Sequence, residues 1–171
     1  MRSNSKLFGI LLVLFLMTGL CGCKDAGRET ADPNERYAYI IEMIREHEAF
    51  SDRSDYFDIA VEMAKIDDGY RYYITLDNPR IAMYDVELLA VEEGVDYMSR
   101  MAANVGIFEE REYHLVPNQS NPKENFMKGL VASAVTPRAE TVLYVFVQFK
   151  SADYSTVHSE YFRFDTSYQG E

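Results

Sequence analysis

Residues 140–150 read Glu-Thr-Val-Leu-Tyr-Val-Phe-Val-Gln-Phe-Lys. Leu143, Val145, Val147 and Phe149 alternate with Val142, Tyr144, Phe146 and Gln148. Alternation marks a strand, and apolar residues on both faces mark one that is central and covered on both sides. Ser151-Ala152-Asp153-Tyr154 then turns the chain, and Val157 to Phe164 is the partner strand. On the other flank, Phe126 to Val135 reads as one strand, and Thr136-Pro137-Arg138 as the turn between them. The polar stretch from Asp165 to Glu171 reads as a frayed tail.

The same period of two runs earlier in the chain. Phe57, Ile59, Val61 and Met63 alternate with Asp58, Ala60, Glu62 and Ala64, and Asp67-Asp68-Gly69 is a hairpin turn signal. Tyr70, Tyr72, Ile74 and Leu76 form the return strand, which Asp77-Asn78-Pro79 breaks. Ala82, Tyr84, Val86, Leu88 and Ala90 then give a third strand, so 55–91 reads as a three-stranded meander. In the middle, Val95, Met98, Met101, Ala102 and Val105 have helical spacing; 95–104 is a short helix or an irregular crossover. Glu112 to Val116 is a short strand and Asn118 to Asn125 a loop. About seven strands with regular turn signals make an antiparallel β-sandwich, similar to the immunoglobulin-like architecture by strand count alone. The alternative is an α+β roll.

One helix precedes the strands. Asp32 can cap it, Pro33 suits its first position, and Glu35 has capping-box spacing. Tyr37, Ile40, Ile41 and Ile44 recur at i, i+3, i+4 and i+7, so a helix spans about 33–48; its apolar stripe packs on the domain, the alternative being a partner-binding helix.

The first 22 residues stand apart. Arg2 and Lys6 are followed by an apolar run from Leu7 to Leu20, shorter than the ~20 residues of a spanning helix. Leu20-Cys21-Gly22-Cys23 follows. This leader resembles the signal peptide of bacterial lipoproteins, whose lipobox reads Leu, small residue, Gly or Ala, Cys; here Cys21 fills the second slot. The resemblance covers the leader and Cys23. It implies cleavage before Cys23, a diacylglyceryl thioether on its sulfur with further N-acylation, and a mature protein held at the cell membrane on its extracytoplasmic side. Two or more acyl chains suffice for stable anchoring. The expected organisation is a signal peptide over 1–22, the lipidated Cys23 and a tether over 23–31, and one domain over 32–171 with its β part at about 55–165. Eight residues of tether reach at most ~29 Å, which keeps the domain near the membrane.

Composition closes several routes. The chain carries a formal charge of −11, and loss of Arg2 and Lys6 with the leader makes the remainder more acidic. Nothing there would neutralise nucleic-acid phosphates. The two cysteines are Cys21 and Cys23, so the folded part has no disulfide, thiolate metal site or cysteine nucleophile. His158 and Glu160 share a strand face, but no further metal ligands are marked. There is no HExxH, GxSxG, GxxxxGK[ST] or GxGxxG motif. Neither a catalytic residue, a metal site nor a cofactor is expected beyond the covalent lipid on Cys23.

The aromatic content is the feature with most functional meaning. Thirteen tyrosines is a high number, and Tyr70, Tyr72, Tyr144 and Tyr161 fall on expected strands. On one outward face they would form a ligand platform, since tyrosine is favoured at binding surfaces; in a core they would fill space. The expected function is that of a non-enzymatic, membrane-tethered lipoprotein that binds another protein of the cell envelope. The alternative is a glycan- or small-ligand-binding module using the aromatic face. Docking of a protein calls for an apolar patch of several hundred Å²; a ligand module calls for a concave, Tyr-lined pocket.

Overall fold

In the computed structural model, which describes residues 32–97 and 100–170, the elements follow as α1 (Pro33–Glu46), β1 (Asp58–Ile66), β2 (Gly69–Asp77), β3 (Tyr84–Glu92), β4 (Ala103–Val105), β5 (His114–Leu115), β6 (Phe126–Met127), β7 (Gly129–Thr136), β8 (Glu140–Lys150) and β9 (Val157–Ser167). The leader, Cys23 and the tether lie outside the described residues. Among the described residues no helix is long and apolar enough to cross a membrane.

The strand β8 is central, as its two apolar faces require. It pairs antiparallel with β3 on one side and β9 on the other, in a four-stranded sheet of order β4-β3-β8-β9. A second sheet, of order β1-β2-β7, covers one face. Leu143, Val145, Val147 and Phe149 point into that inter-sheet core with Leu88, Ala90, Tyr72, Ile74 and Leu76. The next residues along each strand face the other way. Phe146, Leu89 and Val91 meet Ile40, Ile41 and Ile44 of α1. The molecule is thus a β-sandwich with a helix on the outside of its larger sheet, and β3 and β8 are covered on both faces.

Local chemistry explains the boundaries. The Asp32 carboxylate accepts from the Asn34 backbone N–H at 2.9 Å, capping α1, and Pro33 occupies its first turn. The β1–β2 turn needs Gly69: its φ is +138°, and a Cβ there would lie 2.7 Å from the Thr136 carbonyl oxygen. Gly106, at φ +84°, lets the chain pass over β3, where a Cβ would meet the Val86 carbonyl oxygen at 2.2 Å.

Three expectations need correction, and of the two readings of 95–104 the structure takes the crossover. The run 55–91 is not a meander: β1 and β2 form a hairpin, but β3 leaves for the other sheet. A single tyrosine-rich alternation cannot say which sheet a strand joins. The segment after β3 is the irregular crossover, with no helix among its described residues. The strand expected over 126–135 is two: β6 pairs parallel with β5, while β7 pairs with β2. The expected frayed tail is strand as far as Ser167, and the Tyr168 N–H donates to the Ala139 carbonyl at 2.8 Å. β3 also carries a bulge between Tyr84 and Glu87. There Asp85, at φ +50°, takes the Lys150 ammonium at 2.7 Å.

Candidate functional site

The four tyrosines singled out from the sequence do not share one face. Tyr72 is wholly buried in the inter-sheet core. Its hydroxyl has no hydrogen-bond partner among the described residues, and burial pushes its pKa up. Tyr70 lies at the turn end of β2, its ring 5.5 Å from that of Tyr168. Tyr144 and Tyr161 are brought together. Tyr161 of β9 stands opposite Phe146, and Tyr144 stands opposite Arg163, so the two tyrosines are diagonal neighbours on the helix side of the sheet.

Two residues after the helix complete the set. His47, the C-cap of α1, stacks on Tyr161 at 3.6 Å and 14°. Phe50 meets the edge of His47 at 5.3 Å and lies 4.9 Å from Tyr144. The result is a chain of four rings, Tyr161–His47–Phe50–Tyr144, seated on Phe146. Nothing in period or motif marked His47 or Phe50. Their placement depends on where α1 ends, and the three-residue step from His47 to Phe50 carries no helical or strand signal of its own.

His47, Phe50 and Tyr144, with Tyr97 from the crossover, line a cleft of about 280 Å³ between the C-terminal end of α1 and the end of β3. Its polar groups are few. Tyr144 Oη donates to Glu93 Oε1 at 2.9 Å. Glu92, whose side chain is wholly buried, accepts from Thr136 Oγ1 at 2.6 Å and from Arg100 Nη2 at 2.7 Å. The Glu92 backbone N–H donates to Tyr97 Oη at 2.9 Å, and the Arg100 guanidinium lies 5.4 Å from the Tyr97 ring centre. Aromatic walls with a small number of placed polar groups are the usual make-up of a small-ligand site. A neighbouring groove, larger at about 380 Å³, lies between the ends of β8 and β9 and is lined by side chains such as Arg138, Glu140, Asp165 and Thr166. It has no aromatic wall, and Glu93 borders both it and the cleft.

The strand-face pair His158 and Glu160 is drawn apart in role. His158 stacks on Phe149 at 4.8 Å, whereas Glu160 accepts from Ser54 Oγ at 2.6 Å. Burial raises the Glu160 pKa above its ordinary value, against the lowering effect of Ser54. A carboxyl with a raised folded-state pKa contributes stability at low pH and loses it as pH rises through that value. Glu160→Gln keeps an acceptor for Ser54 and removes the charge. Its melting temperature should exceed that of the unmodified protein at pH 7, and the gain should shrink towards pH 4. Calorimetry at both pH values tests this; an equal difference at the two would refute it.

No protein-family model matches the chain, and no curated protein or solved structure matches it.

Proposed function

We propose that this chain is a lipid-anchored, extracytoplasmic binding protein, without catalytic activity, that takes a small organic ligand or the end of a glycan in the aromatic cleft. The resemblance of Leu20-Cys21-Gly22-Cys23 to a lipobox supports the tether through Cys23. The observation that carries the binding reading is the convergence of Tyr144, Phe50, His47 and Tyr97 on one cavity. A non-catalytic role accords with Glu92, whose carboxylate is held by Arg100 and two threonine hydroxyls and so is not poised as a free base.

Tyr144 and Tyr70 give a matched test. Full-length protein in detergent micelles would be titrated with a panel of small sugars and amines, reading thermal shift and intrinsic tyrosine fluorescence. The chain has no tryptophan, so the tyrosine signal is unobscured. Tyr144→Ala should weaken binding at least tenfold, through loss of a wall worth roughly 1.5 kcal/mol. Tyr70→Ala should leave it unchanged. Equal loss in both variants, or none in Tyr144→Ala, would place binding elsewhere.

A second reading, docking of another envelope protein, is favoured by β7. This edge strand has no charged residue, and Val131 and Val135 stand 57% and 39% exposed on its outer face. In-cell crosslinking with a C-terminal tag, with Cys23→Ala as the untethered control, would recover one partner reproducibly under that reading and the protein alone otherwise.

A further inference from the structure

Resting on the cleft reading above, we propose that the ligand is a small organic cation, an alkyl- or quaternary ammonium group, held between aromatic faces and the Glu93 carboxylate. Four features share one electrostatic sign. The rings of Phe50 and Tyr144 line the cleft, and aromatic faces carry negative quadrupole density that attracts an ammonium group placed over them; the Tyr97 ring already carries the Arg100 guanidinium, 5.4 Å from its centre. The C-terminal end of α1 forms one wall through Ile44 and Arg45, and helix C-termini carry partial negative charge. Glu93 lines the cleft with no ion-pair partner among the described residues; the contact to its carboxylate is the neutral Tyr144 hydroxyl. The chain as a whole is strongly acidic, which raises the local concentration of cations.

Three arginines around the cleft are already paired with carboxylates. Arg45 Nη1 sits on Glu42 at 3.0 Å, and Arg100 on Glu92. Arg163, near Tyr144, forks onto Asp165 at 2.7 and 2.8 Å. Arg138 Nη1 donates to the neutral Glu93 carbonyl at 2.9 Å and so keeps its charge, but it lines the neighbouring groove, which Glu93 also borders, and does not line the cleft. His47 spends one ring face on Tyr161. An anionic ligand would therefore enter facing Glu93, with Arg45 and Arg100 already committed to carboxylates. A neutral sugar could stack on the rings but would leave the carboxylate's charge unused.

The size is also suitable. A cleft of about 280 Å³ suits a choline-sized head or a single sugar ring better than an oligosaccharide.

The test compares choline with its neutral carbon isostere, 3,3-dimethylbutan-1-ol, and with methyl β-glucoside. Isothermal titration of full-length protein in a zwitterion-free, non-ionic detergent would be paired with chemical-shift mapping of the aromatic rings. Choline should perturb the Tyr144 and Phe50 resonances and bind at least tenfold more tightly than the isostere. Glu93→Gln should abolish that preference; Tyr144→Phe, which frees the carboxylate from the hydroxyl and keeps the ring, should retain it. Equal binding of choline and isostere in the cleft, or binding of the glucoside alone, would overturn the cation assignment and leave the cleft reading standing. Absence of any shift at Tyr144 and Phe50 with all three probes would overturn both. Thermal melts of the two variants confirm that each is folded.

Discussion

Phe146→Ala is expected to destabilise the protein by about 3–5 kcal/mol, the usual cost of deleting a fully buried phenylalanine ring, and to lower the melting temperature by on the order of 10 °C. Phe146 has no exposed surface and sits where three elements meet. It faces Ile40, Ile41 and Ile44 of α1, neighbours Leu89 of β3, and holds the Tyr161 ring edge-on at 5.2 Å. Each neighbour is anchored separately: the isoleucines by a 14-residue helix, Leu89 by the β3–β8 ladder, Tyr161 by β9. Leu89 and Tyr161 are fixed by their strand ladders, and the isoleucines reach the space only if the whole of α1 shifts, so the cavity stays largely open and the cost lies at the upper part of the range. Because Phe146 also supports Tyr161, and through it His47, the substitution should loosen the aromatic chain as well as the core. Urea titration and calorimetry measure the effect. A loss below about 1 kcal/mol would show that α1 settles onto the sheet and fills the gap.

How much of this could be read in advance depends on the range of the physics involved. The strand β8 was legible because its signal is local: two apolar faces in one run demand two covering layers, and α1 supplies one of them. The α1 stripe and its Asp32–Pro33 start were legible for the same reason. The sheet to which β3 belongs was not, since alternation fixes which residues face in and leaves open which neighbour pairs. Tyr72 and Tyr144 show the same limit at the site. Each alternates within its strand, yet Tyr72 faces the inter-sheet core and Tyr144 the cleft. That difference is set by the order of strands across two sheets. The cleft itself arises from the end of α1, the end of β3 with the crossover that continues it, and Tyr144 of β8, three stretches remote in sequence. Glu92 and Glu93 are adjacent in the sequence and identical in chemistry. Burial separates them, one wholly enclosed at the end of β3 and one exposed beyond it.

Arg100→Ala isolates what that enclosure costs. The Glu92 side chain is wholly buried, and Arg100, 38% exposed, supplies its positive partner. Removal of the guanidinium leaves the carboxylate with the Thr136 and Thr141 hydroxyls, at 2.6 and 3.4 Å. Breaking a buried pair from one side typically costs about 3–5 kcal/mol, and the partial exposure of Arg100 puts this case near the lower figure. Glu92→Gln in the Arg100→Ala background should recover most of the loss, because the amide oxygen still accepts from the threonines and no unpaired charge remains. The double-mutant cycle then reports a coupling on the order of 2 kcal/mol. Near-zero cost in Arg100→Ala would mean that water entering from the cleft solvates Glu92. The same variant bears on recognition. Glu92 lines the cleft beside Glu93, so loss of Arg100 adds an uncompensated negative charge to its wall. Choline binding by the folded fraction should tighten several-fold at low salt, and binding of the neutral isostere should stay constant. Tightening of both together would point to a change in cleft shape and away from charge as its cause.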